Sequence, residues 1–290
     1  IAETVNQASK TDAFAYVWVQ DENGAYADAL SNKNEMPIKM MMEGENRVKV
    51  TSQNVVGMVE GTDPTLKNEY IIYSAHYDHV GIGQPDESGD TIYNGARDNA
   101  VGVTTVLSMA ENLAKYPTKR SALFILFTGE EKGLLGSEYY VDNPIVPLDQ
   151  MVYCFNSDNG GYNDTSVATI VGLTRTTAQQ NIENAVSTFG LRAIDDPAPE
   201  QGLFNRSDNV HFAKKGIPSP TFSLGFTNFS DSTKHYHRPS DEADTLDYDY
   251  LLKFFRAYVL SGRNIANDPS TPFWVKGDAY EEAGKKLYNK

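Results

Sequence analysis

The chain has 290 residues, 40% hydrophobic and 22% charged, a balance that supports a folded core, and it has no apolar run long enough to span a bilayer. Its formal net charge is −14, from 39 acidic against 25 basic side chains. Nucleic-acid backbones and anionic membrane surfaces would be repelled, so neither is an expected partner.

The first 45 residues read apart from the rest: a short helix pattern over Ala2–Lys10, an apolar strand over Phe14–Val19, a polar stretch rich in Asn, Asp and Ala, then Pro37–Met42. The chain opens at Ile1 without an initiator Met, a basic n-region or an apolar h-region. The expectation is that a leader or longer N-terminal part is removed and that the protein is exported, to the periplasm, the medium or the cell surface. From residue 46 onward, apolar runs predict strands at Asn54–Val59, Tyr70–Ala75, Ser121–Phe127, Met151–Phe155, Val167–Val171 and Pro220–Leu224. Between them, Val103, Val106, Ala110 and Leu113 make one apolar face of a helix over Val101–Tyr116, closed by Pro117. Further helices are predicted at Ser137–Val141, Ala178–Phe189 and Tyr250–Asn267. Strands alternating with helices give an α/β fold, a three-layer α/β/α sandwich with a mixed, mainly parallel central sheet. Ligands of such sheets bind outside the carboxyl ends of the strands. The lone Cys154 lies within a strand pattern, which leaves no internal disulfide and reads as a buried thiol.

Acids and histidines gather where these strands end. The stretches are "AHYDHVG", "NGARDNAVG", "LFTGEEKGLLGS" and "CFNSDNGG", with "KHYHRPSDEADT" in a polar loop before the last predicted helix. Each has an ordinary structural explanation when taken singly: Asp98 as a helix N-cap, Glu130 and Glu131 as a first-turn acidic pair, Asp158 as a turn residue. Together they supply metal ligands from five separate segments. No Gly-x-Ser-x-Gly nucleophile elbow is present, and "GIGQPD" lacks the third glycine of a dinucleotide fingerprint. Two histidines with several carboxylates suit Zn²⁺, and a pair of ions about 3.5–4 Å apart can hold a water against a scissile carbonyl. Of two adjacent glutamates, one can ligate while the other moves the proton.

The ordered set His76-Tyr77-Asp78, Asp98-Asn99-Ala100 with Gly102, Gly129-Glu130-Glu131 with Gly133-Leu134-Leu135-Gly136-Ser137, Asp158, and Tyr236-His237 with Pro239 and Asp244-Thr245 resembles the M28 family of zinc aminopeptidases over about residues 50 to 265. The resemblance implies two zinc ions per chain, with His76 and Asp158 on one, Glu131 and His237 on the other and Asp98 bridging. It implies Glu130 as general base, Asp78 as the partner that orients the His76 ring, and Glu130 and Asp158 as acceptors of a peptide's α-amine. His79 and His211 are left to solvent or supporting roles, and the Tyr-His-x-Pro pattern selects His237 over His235. The first 45 residues are similar to the end of a protease-associated insert, which leaves 46–290 as the peptidase domain. The expected activity is removal of N-terminal residues from peptides. Three alternatives stay open: a one-zinc glutaminyl cyclase, disfavoured by Asn99 where a serine is expected; a non-catalytic binding or receptor-like member, disfavoured because every ligand type and the base are present; and a carboxypeptidase using Arg97, Arg175 or Arg206 for the terminal carboxylate. For Arg97 an ion pair is the favoured reading. The chain departs from the family pattern in Asn156-Ser157-Asp158-Asn159, where an apolar Asn-Leu-Asp-Met is common, and in Ser207-Asp208-Asn209, where Ser-Asp-His is common.

Overall fold

The computed structural model describes residues 23–32 and 50–289, and the chain divides into two compact units, Ile1–Thr51 and Ser52–Lys290. The first unit contributes helix α1 (Ala25–Asn32), in a stretch read from sequence only as polar. The elements predicted at Ala2–Lys10, Phe14–Val19 and Pro37–Met42 lie outside the described residues.

The second unit is built on a seven-stranded sheet. Its strands are β1 (Val55–Val59), β2 (Tyr70–His76), β5 (Ser121–Phe127), β6 (Met151–Ser157), β7 (Val167–Val171), β8 (Arg192–Ile194) and β9 (Thr221–Leu224), in the order β1-β5-β2-β6-β9-β7-β8. A separate hairpin joins β3 (Gly81–Ile82) to β4 (Ile92–Tyr93). The pairs β5-β2, β2-β6, β6-β9 and β7-β8 are parallel, while β1-β5 and β9-β7 are antiparallel, so the sheet is mixed and mainly parallel. Parallel strands need crossovers, and helices supply them. The helices of this unit are α2 (Gly102–Lys115), α3 (Leu135–Asp142), α4 (Gln179–Thr188), α5 (Asn209–Lys215), α6 (Phe229–Ser232), α7 (Tyr248–Asn267) and α8 (Glu281–Tyr288).

Alternation along β2 sets the layers. Ile71, Tyr73 and Ala75 turn to one face, among Val106, Met109 and Leu113 of α2 and Phe254 and Tyr258 of α7. Ile72 turns to the other, with Tyr140 of α3 and Phe212 of α5. Both faces of the central strands are therefore covered, which is why their sequences are continuously apolar. The α/β/α sandwich read from the sequence is the architecture observed. The three-residue β8 and the two-residue strands of the hairpin escaped that reading because they are too short and too exposed to carry an apolar run.

Register places the site. His76 pairs with Phe127 and Ser74 with Asn156, so β2, β5 and β6 finish at one edge of the sheet. Whatever follows these three strands is delivered to the same place.

Candidate metal centre

Three of the converging loops leave those strand ends. His76 closes β2; Gly129, in the left-handed region at φ 68°, turns the chain after β5 into Glu130 and Glu131; Asp158 follows β6. Asp98 comes from the π-helical turn Ala96–Val101 ahead of α2, and its peptide bond to Asn99 is cis. Gly95 opens that turn at φ 63°, where a Cβ would meet the His79 ring at 2.7 Å and run into the Asp98 carbonyl, so backbone conformation and space both require glycine. His237 stands in the loop between α6 and α7 with φ 51°, a conformation that His tolerates better than most residues.

The two oxygens of Asp98 face different histidines. Oδ1 lies 3.2 Å from His76 Nε2, and Oδ2 lies 3.2 Å from His237 Nε2. His76 Nε2 is also 3.2 Å from Asp158 Oδ1, and His237 Nε2 is 3.0 Å from Glu131 Oε2. The side chains thus form two groups in which the candidate ligand atoms lie within 4.8 Å of one another: His76, Glu130 and Asp158, and His79, Asp98, Glu131 and His237. His76 and Asp98 are buried, at 1% and 4% exposure.

Burying so many acids together has a cost that the histidines offset. Burial and the charges of Asp158, Asp208 and Asp98 push the Glu130 carboxyl up to about 9. Burial would likewise raise Glu131, but the close imidazoles of His237 and His79 outweigh it and hold that carboxyl at about 2. Burial alone would lower the two imidazoles; the carboxylates reverse this, raising His237 to about 9 and His76 well above its ordinary value. The site prefers cations.

The donors fit a zinc pair in type, two imidazole nitrogens with several carboxylate oxygens. A second observation agrees with that fit. His237 Nε2 is buried within 3.2 Å of two carboxylate oxygens yet makes no hydrogen bond to either, a convergence that a cation between them would account for. The side chains that the sequence offers as ligands, His76, Asp98, Glu131, Asp158 and His237, are brought to one place, and Glu130 and His79 stand among them. His235 instead contacts Ser240 Oγ at 3.1 Å, and His211 contacts Ser137 Oγ at 3.0 Å.

Several supporting roles differ from the sequence reading. The closest link from Asp78 to His76 is its backbone carbonyl, 3.0 Å from Nδ1, while its carboxylate oxygen is 3.9 Å away. That carboxylate accepts the backbone N–H groups of Glu130 and Glu131, at 3.1 and 3.2 Å, because the β2 and β5 loops leave neighbouring strands. His79 is no solvent group: its Nδ1 is 2.9 Å from Glu131 Oε1. Arg97, by contrast, takes the ion pair favoured for it: it is buried and bound to Asp241, 2.9 Å from Nη1, and to Thr245, which removes it as a substrate-binding arginine. Arg175 is also engaged, with Asp278 and across the Phe204 ring. Asn159 donates to Asn99 and accepts from the Leu224 N–H, so this departure from the apolar family pattern is a buried tie between the loop after β6, the turn ahead of α2 and β9. Asp241 was missed altogether. It is 1% exposed and accepts the backbone N–H groups of Arg97 and Asp98.

A cavity adjoins the centre. Asp98, Glu130 and Asp158 line it together with Val171, Leu203, Phe226, Phe229, Tyr236 and the exposed Arg206.

The family model described as "Peptidase family M28" matches residues 54–260. The chain is 28% identical over 252 residues to the aminopeptidase YwaD of Bacillus subtilis, covering 86% of this chain and 50% of that protein. It is 35% identical over 250 residues to a probable zinc metalloprotease of Pyrenophora teres f. teres, covering 77% of this chain and 50% of that one. It spans about half the length of these curated relatives. In fold it resembles BSAP, a zinc aminopeptidase from Bacillus subtilis, with TM-score 0.60 and 23% identity over 79% of this chain and 52% of the other. A Zn-dependent exopeptidase from Parabacteroides distasonis is similar at TM-score 0.55 and 19% identity, over 71% and 75% of the two chains. The matched residues 54–260 include the strands β1 to β9 and every loop gathered at the sheet edge, and the chain belongs to peptidase family M28.

Proposed function

We propose that the protein is a zinc-dependent exopeptidase that removes N-terminal residues from peptides. The observation that supports this reading best is Asp98, whose two oxygens each face a different histidine at 3.2 Å, the arrangement a carboxylate shared by two cations needs. In this reading His76 and Asp158 would hold one zinc and Glu131 and His237 the other, with Asp98 available to both. When bound, the ions would supply Lewis acidity at the scissile carbonyl and acidify a nearby water.

The chain's own residues do the rest. Glu130 acts as general base, taking the proton of the attacking water and delivering it to the leaving amine. Its backbone is fixed by Asp78, and its carboxyl, pushed up by burial and by neighbouring carboxylates, faces the cavity. Cations among those carboxylates would bring it down toward neutrality, where a base works best. Glu130 and Asp158 give the cavity an acidic region suited to a free α-ammonium, and Val171, Leu203, Phe226 and Phe229 give it apolar wall for a side chain. The Tyr236 phenol, kept protonated by burial and by Asp98 and Asp158, adds a neutral donor.

The names of the relatives, an aminopeptidase and a zinc metalloprotease, agree with this reading. Arg206 supports one competitor, because it is the arginine that lines the cavity while Arg97 and Arg175 are tied elsewhere, and it could receive a C-terminal carboxylate. Peptides with free and blocked termini, given to the zinc-loaded protein, separate the readings. Cleavage that requires a free amine and tolerates a C-terminal amide is the expected result. Dependence on a free carboxylate would establish the carboxypeptidase, and cyclisation of N-terminal Gln with one zinc per chain the cyclase.

A further inference from the structure

The turn that follows β2 carries one more imidazole than the proposed zinc ligands use. His79 is largely buried against the centre, and its Nδ1 lies in hydrogen-bond geometry 2.9 Å from Glu131 Oε1. The other oxygen of the same carboxylate, Oε2, lies 3.0 Å from His237 Nε2. Glu131 is therefore held from both sides, by one histidine on each oxygen.

The two histidines do not meet the carboxylates in the same way. His237 Nε2 approaches Glu131 and Asp98 at 3.0 and 3.2 Å without making a hydrogen bond to either, as a ligand sharing a cation with them would. His79 Nδ1 does make a hydrogen bond to Glu131, and it is 3.9 Å from the nearer oxygen of Asp98. Two ligands on a tetrahedral zinc with bonds of about 2.0–2.1 Å stand about 3.3 Å apart; His237 stands nearly evenly from both proposed partners, at 3.0 and 3.2 Å, whereas His79 is 2.9 Å from Glu131 and 3.9 Å from Asp98 and so leans on the first alone. Its place also leaves no slack, because a Cβ on Gly95 would meet the His79 ring at 2.7 Å.

We infer that His79 is a positioning residue for the second metal position. Its Nδ1–H fixes Glu131 Oε1, which aims Oε2 at the point that His237 and Asp98 also face. The effect passes through Glu131, as hydrogen-bond partners of ligating side chains commonly act, where loss of such a partner lowers metal affinity about 10–100-fold. This inference rests on the two-metal reading of the site.

The test uses the full chain and its His79→Ala and His79→Asn variants, titrated with zinc against a chromophoric chelator and, separately, loaded to saturation with Co²⁺ for absorption spectra. In His79→Ala one of two zinc affinities should fall about 10–100-fold while the other changes less than about twofold. His79→Asn, whose side-chain N–H can stand where Nδ1–H stood, should recover most of that loss. The saturated Co²⁺ spectra should keep their energy and intensity, since no ligand is removed. Unchanged zinc affinities in His79→Ala would overturn the inference, and so would a Co²⁺ spectrum that reports a lost nitrogen ligand. A wild-type chain that binds a single zinc would overturn the two-metal reading itself, and the inference with it.

Discussion

Glu130 and Glu131 are neighbours in sequence with the same side chain, yet their surroundings push them apart, one carboxyl to about 9 and the other to about 2. Glu131 is paired with two imidazoles, while Glu130 faces other acids. Environments that separate two like acids also separate an acid-base role from a ligand role. Glu130→Gln should therefore lose about 10²–10⁴-fold or more in kcat while keeping two zinc ions per chain, because the proton carrier goes and the proposed ligands stay. Activity within tenfold of wild type, measured at matched metal content, would remove Glu130 from the role of base. Asp98→Ala should lower occupancy of both zinc positions together. Loss of one ion alone, read by metal analysis of the dialysed protein, would show that Asp98 is not shared.

At the scale of elements, the same loop that presents His237 also grips the turn that presents Asp98. Asp241 accepts the N–H groups of Arg97 at 3.1 and 3.0 Å and of Asp98 at 3.2 Å, and it pairs with the Arg97 guanidinium at 2.9 Å. Arg97 and Asp241 are both buried, so removing the acid would strand a charge and two N–H groups away from water. Asp241→Ala should cost about 3–5 kcal/mol, the penalty typical of breaking one side of a buried pair, measured as a shift in denaturant midpoint with unchanged slope. A cost below about 1 kcal/mol would mean that solvent reaches Arg97 and that the two loops are not locked through this pair. Asp241 also shows where sequence reading stops. In "HRPSDEADT" the acids Asp241, Glu242 and Asp244 look alike, and the resemblance drew attention to Asp244, which is exposed. The segments that meet at the sheet edge were legible because acids and histidines at strand ends contradict their apolar context. Strands β2, β5, β6 and β7 were legible because burial on both faces leaves an uninterrupted apolar run. Which acid of a polar loop turns inward, or whether Asp78 reaches His76 by carboxylate or carbonyl, depends on how neighbouring loops meet, and no local pattern records that.

For the molecule as a whole, a net charge of −14 and a cluster of buried carboxylates at one sheet edge act in the same direction, toward holding positive charge there. On the proposed reading, protons and zinc compete for that position. His76 is raised well above its ordinary value, and His237 and Glu130 are each raised to about 9, so in chelated protein these groups bind protons at neutral pH. A ligating imidazole must be neutral and a ligating or base carboxylate ionised, so zinc binding has to displace those protons. The sign follows from the raised values: acidification favours the protonated groups and weakens zinc, and affinity should climb as pH rises from about 6 toward about 9, flattening once the groups ionise without help. Zinc titration calorimetry at pH 7 in two buffers of different ionisation enthalpy should report release of at least one proton per chain, and chelator competition across the same pH range should show the rise. Zinc affinity that does not vary between pH 6 and pH 9, with no buffer dependence of the heat, would mean that the carboxylates do not hold protons on His237 and Glu130. The charge of the chain would then have no part in how the site competes for its metal.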